Sequence, residues 1–127
     1  MMSPVGDERV EQLRAEYLVA IDHVQRASEQ TIVALQATLD AREVTREVVE
    51  RGRPLIELQN VIKPQELRAS VAKALGELER TRHDAQRLLF QLLHAEGQTM
   101  ADIGRMWGIS RQLVSRLVNE PDPTPSA

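Results

Sequence analysis

The chain has 127 residues, a formal net charge of −3 and only 2% aromatic residues, with single copies of Trp107, Tyr17 and Phe90. Its apolar content is Leu, Val, Ala and Ile set among Glu, Gln and Arg, a helix-favouring mixture that points to an all-α protein. The absence of cysteine excludes disulfide and thiolate chemistry, and the negative balance argues against broad adhesion to nucleic acid or anionic membrane.

Residues 1–6 contain Pro4 and Gly6 and are expected to be disordered. They show no basic region followed by an apolar stretch, and no run of 18 apolar residues follows anywhere, so a soluble cytoplasmic protein is expected. From Asp7, the residues Val10, Leu13, Tyr17, Ala20, Val24, Ala27, Thr31, Ala34, Thr38 and Ala41 recur at alternating spacings of three and four. Leu18, Ile21, Ile32, Leu35 and Leu39 form a second apolar row beside them. No Gly or Pro interrupts residues 7–51, which predicts a helix about 60–65 Å long. A helix of that length implies a rod or an oligomer.

Arg51-Gly52-Arg53-Pro54 ends it, because Gly suits a helix C-terminus and Pro blocks continuation. Residues 55–62 are apolar on one side and predict a brief helix or a packed connection. Pro64 suits the first turn of a second long helix, carried to Ala95 by Leu67, Val71, Ala74, Leu78, Ala85, Leu88, Leu92 and Ala95, with Thr81 breaking the rhythm. Two long helices predict an antiparallel hairpin, and their surplus apolar width predicts a coiled-coil homodimer. Residues 7–95 are thus expected to be an oligomerisation module with a break near 51–63.

Thr99-Met-Ala-Asp102 has the form of a capping box, so a short helix is predicted from Thr99 to Trp107. Gly108 suits a sharp turn, Ile109 can be buried beneath it, and Ser110 can cap a second short helix from Arg111 to Val118 or Asn119. Ile103, Trp107, Ile109, Val114 and Leu117 are expected to face one centre, with residues 88–93 as the third wall. Gly104 would let the second short helix approach near Val114. Three prolines among the last eight residues, 120–127, predict a disordered tail.

The stretch GQTMADIGRMWGISRQLVSRLV resembles the helix-turn-helix superfamily of DNA-binding domains. It is similar to the tri-helical units of bacterial regulators, resolvase-type recombinases and the promoter-reading region of sigma factors. Gly104, Gly108, Ile109 and Val114 stand where that pattern expects a small residue, a turn glycine and two apolar residues. The resemblance covers roughly residues 90–119, within a helix-turn-helix unit expected at 88–119, and implies that the second short helix enters the major groove of double-stranded DNA. Arg111, Gln112, Ser115, Arg116 and Asn119 would then face the groove, and Thr99 and Ser110 would suit phosphate contacts.

Residues 96–120 carry three arginines and three acids, so a single unit is electrically neutral and is expected to need a second copy. The expected function is a dimeric bacterial or phage transcription regulator, nucleoid-associated in the cytoplasm. The rivals are an architectural DNA-binding protein and a coiled-coil adaptor with a non-DNA-binding helix-turn-helix. A second regulatory protein is a further partner such helices could dock; a membrane is not. No enzyme is expected, since Ser110 and Ser115 lack a base at a recognisable spacing and the glycines form no phosphate loop. No cofactor or metal is expected either: Glu79 and His83 stand four apart, but two ligands do not make a site.

Overall fold

The computed structural model describes residues 4–121. All its elements are helical: α1 (Pro4–Glu50), a 3₁₀ turn (Leu55–Leu58), α2 (Gln59–Ile62), α3 (Pro64–Ala95), α4 (Met100–Trp107) and α5 (Arg111–Val118). The long N-terminal helix packs against others in the expected hairpin. Helix α1 starts three residues before Asp7, because a proline fits a first helical turn, so residues 4–6 are helical rather than frayed. Its end is as expected: Gly52 takes φ +67°, and Arg53 N–H donates to the Val48 carbonyl at 3.0 Å. Most of the tail expected to be disordered, residues 122–127, lies outside the described residues, as do residues 1–3.

The chain divides into two compact units, residues 23–81 and a second unit made of residues 1–22 with 82–127. In the second unit, α3 is apolar on two sides. On one, Leu88 and Leu92 join Val10, Leu13 and Ala20 of α1, with Tyr17, Ala85 and Ala95 around them. Arg14 of α1 and Glu96 close the end of this layer with a 2.9 Å ion pair. On the other side, Phe90 meets Ile103 of α4 and Val114 and Leu117 of α5. The end of α3 is therefore the third wall of the C-terminal tri-helical core.

The 23–81 unit is built differently. Its buried residues are Ala27, Thr31, Ala34, Leu58, Ala74 and Thr81, small side chains except for Leu58. Small residues let helices approach closely, and the Thr31 hydroxyl lies 3.4 Å from the Ala74 carbonyl of α3. Thr81 does not break the α3 row: it is buried, and its hydroxyl donates to the Glu77 carbonyl at 2.9 Å. A hydroxyl that bonds back to its own helix can occupy an apolar row without an unsatisfied group.

Candidate nucleic-acid interface

Helix α4 begins as its sequence dictates. Thr99 is the N-cap, its hydroxyl accepts from Asp102 N–H at 3.0 Å, and Thr99 N–H donates to the Asp102 carboxylate at 3.3 Å. This reciprocal pair satisfies two donors that a helix start leaves open. It also holds the Asp102 carboxyl below its ordinary range, through hydrogen bonds from Thr99 first and attraction to Arg105 after that. Helix α4 ends at Gly108, which takes φ +68°. The Gly104 carbonyl accepts from both Gly108 N–H and Ile109 N–H, closing the turn.

Gly104 is required here for a reason other than the one expected. A Cβ at this position would lie 2.8 Å from the Ile109 carbonyl oxygen, so the turn itself, rather than Val114, makes the close approach. Ser110 then caps α5, its hydroxyl accepting from Leu113 N–H at 3.1 Å. Helix α5 buries Val114 and Leu117, with Leu113 and Val118 partly covered. Those four occupy one side of the helix; Arg111, Gln112, Ser115, Arg116 and Asn119 fall on the other by helical spacing.

Trp107 departs from expectation. It remains 47% exposed and meets the core only at its rim, edge-on to Phe90 with ring centroids 5.6 Å apart. Phe90, fully buried, takes the centre. Helical spacing puts Trp107 on the core side without fixing its depth.

The side chains expected at a groove are not equivalent. Arg111, Gln112 and Arg116 are exposed, and among the described residues no acid pairs with either arginine. Ser115 is half-buried, and the Asn119 amide donates to the Ser115 carbonyl at 2.8 Å. The same amide nitrogen also lies 3.4 Å from the Ser115 hydroxyl, so Asn119 finishes α5 and keeps its carbonyl oxygen for a further partner. Thr99 and Ser110 accept at their hydroxyl oxygens in capping and keep their O–H donors for a further acceptor.

The geometry gathers Thr99 and Arg111 around one shallow concavity of about 410 Å³, with His94, Gln98 and Met100 on its other walls. The charge around α5 is uneven. Residues 103–119 include Arg105, Arg111 and Arg116 and no acid. The flanking acids are occupied: Asp102 by Thr99 and Arg105, and Glu120 by His83 Nε2 at 2.8 Å.

That last contact, and the Gln91 amide donating to the Val118 carbonyl at 3.0 Å, tie the end of α5 back to α3. Neither was legible in the sequence, since His83 and Glu120 are 37 residues apart with no motif between them. Among the described residues no group of three or more side chains could hold a metal ion. No helix among them is long and apolar enough to cross a membrane.

Residues 85–120 match the model of the MarR family, a winged helix-turn-helix family. The matched span begins in α3 beside Phe90 and ends at Glu120, so it takes in the tri-helical core and little else. Comparison with curated proteins and with solved structures gives no match. The C-terminal unit is a helix-turn-helix of the kind that DNA-binding transcription regulators carry.

Proposed function

We propose that this chain is a dimeric, sequence-specific DNA-binding transcription regulator of bacterial or phage type that reads the major groove with residues 111–119. One observation carries the reading. Helix α5 is capped at Ser110 and anchored on one side by Val114 and Leu117, while its other side offers Arg111, Gln112 and Arg116, and among the described residues no acid pairs with either arginine. A helix held this way loses little backbone freedom on entering a groove.

Arg111 and Arg116 are suited to guanine O6 and N7, and Gln112 to adenine. Arg111, beside the start of α4, can instead take a backbone phosphate, with the concavity at Thr99 receiving it. Asp102 offsets the positive end of α4, so the arginine and not the helix end supplies the charge there. A neutral reading unit gains from a second, linked copy, and two-fold symmetry favours half-sites about 34 Å apart. Occupancy of such a site alters promoter access; the protein works in the cytoplasm, on the nucleoid.

Selection from random duplexes followed by sequencing tests this. An inverted repeat with one helical turn between half-site centres is the expected product. Recovery of unrelated sequences at equal affinity would indicate an architectural protein instead, and no recovery at low salt would indicate an adaptor.

A further inference from the structure

Charge in the 23–81 unit is as unevenly placed as apolar bulk. A groove of about 290 Å³ runs between α1 and α3, at the lower end of the size range of small-molecule sites. Ala27 and Thr81, both buried and both small, form its floor. His23, Arg26 and Gln30 line it from α1, and Glu77 and Arg80 from α3. The three α1 side chains are exposed, and among the described residues none of them makes a hydrogen bond or an ion pair.

Arg26 is the most telling of them. Asp22 stands four residues before it and Glu29 three after, spacings at which ion pairs form along a helix. Arg14, Arg80 and Arg105 each take an acid at such a spacing, whereas Arg26 takes neither of its two. By helical spacing both acids lie on the side of Arg26 turned away from Ala27 and the groove. The one acid that lines the groove is already matched. Glu77 accepts from Arg80 Nη2 at 2.6 Å, and that bond first, then the charges of Arg80 and Lys73, holds its carboxyl below the ordinary range. Arg80 Nη1 and Nε make no other bond among the described residues. Two guanidinium groups therefore face one carboxylate, a local positive excess in a chain of formal net charge −3.

We propose that this groove binds a small phosphate-bearing anion, gripped by one guanidinium from each helix. Forks on two walls suit a group with oxygens on several sides, as a phosphate has. A lone carboxylate presents two oxygens in one plane and satisfies a single fork. Gln30 and His23 supply further donors beside Arg26. The groove is shallow, so its ligand stays in contact with water, which fits a strongly hydrated anion and not an apolar molecule that needs enclosure. A bridging anion ties α1 to α3 at a level where the buried residues are alanine and threonine, and its binding stabilises the folded unit by mass action. The site stands apart from the DNA reading and does not depend on it.

Calorimetric titration of the full chain with pyrophosphate at low ionic strength tests the site. The expected dissociation constant is about 1 mM or tighter. Arg26→Gln with Arg80→Gln should weaken binding about tenfold, the scale of two exposed charge contacts. Glu77→Gln releases Arg80 and removes a repelling charge, and should tighten binding about threefold. Arg42→Gln with Arg46→Gln takes the same charge from an exposed stretch of α1 outside the groove and should change nothing. Adenosine diphosphate in a second arm separates the sources: tighter binding than pyrophosphate points to a nucleotide, equal or weaker binding to free phosphates. Absence of pyrophosphate binding up to about 10 mM overturns the proposal. So does equal weakening by the Arg42 and Arg46 pair, which would mean diffuse attraction, or acetate binding as tightly as pyrophosphate. If the Arg26 and Arg80 variant loses its helical circular dichroism, Glu77→Gln decides alone, and unchanged or weaker affinity there overturns the site. None of these outcomes bears on whether α5 reads DNA, which is measured separately with the Arg111 and Arg116 variants.

Discussion

The unit formed by residues 1–22 with 82–127 and the unit of residues 23–81 are cut from the same two long helices, yet they are stabilised by different means. The first has two apolar clusters with large side chains at their centres, Leu13, Leu88 and Leu92 in one and Phe90, Ile103 and Val114 in the other. The second buries mostly alanine and threonine and keeps Ile32, Leu35 and Leu39 outside. Burial of a large aliphatic side chain contributes about 1.5–3 kcal/mol and that of an alanine far less. One unit can therefore hold its shape with its own residues, whereas the other has its apolar resources turned outward. On the function proposed above, the difference separates two tasks: presenting a fixed surface and finding a partner.

The contrast breaks most easily at Phe90. Phe90→Ala removes the one ring shared by α3, α4 and α5 and should cost about 3–5 kcal/mol in urea unfolding. The loss should appear first as lost order in residues 85–120, by amide exchange, with residues 23–81 retaining theirs. Gly104→Ala comes next, because its methyl would lie 2.8 Å from the Ile109 carbonyl oxygen. A backbone oxygen cannot swing aside as a side chain does, and the expected cost is about 1–3 kcal/mol in the same assay.

Dilution should sharpen the contrast without any mutation. Amide protection in residues 23–81 is expected to fall as protein concentration drops through the dimer dissociation constant, and protection in the α4–α5 region to hold. The smallest effects belong to the α4 cap. Thr99→Ala is expected to cost about 1 kcal/mol. The Asp102 carboxyl is held low in the fold, so its stabilising contribution is present above the ordinary aspartate pKa of about 3.9 and is lost as pH falls through its lowered value. NMR titration of Asp102 should find that lowered midpoint in the wild type and one closer to the ordinary value in Thr99→Ala.

What could be read from the sequence were the features set by neighbours along the chain. Thr99 with Asp102, Gly108, Ser110 and Gly52 each do what local rules dictate, because a cap or a left-handed turn is decided within four residues. The apolar rows likewise gave the all-α hairpin. Depth and distant pairing were not legible. Helical spacing put Trp107 on the core side but could not show that Phe90 fills the centre. It marked Thr81 as a fault in a row that its own back-bonded hydroxyl in fact completes. It gave no sign of His83 meeting Glu120 or Gln91 meeting Val118, contacts that exist only once α5 has folded against α3. At the candidate interface the residues were legible as a face, but not that Asn119 and Ser115 are bonded to each other. That leaves Arg111, Gln112 and Arg116 as the side chains open to a partner.

The central claim, that these three side chains read DNA, is tested most directly by fluorescence anisotropy on the duplex enriched by selection. Each arginine that grips guanine contributes about 1–3 kcal/mol, so Arg111→Ala with Arg116→Ala should weaken binding at least tenfold. If both arginines also neutralise phosphate in a dimer, the slope of log affinity against log salt should flatten by several units. Unchanged affinity and an unchanged salt slope in that double variant, with its helices intact, would contradict the account.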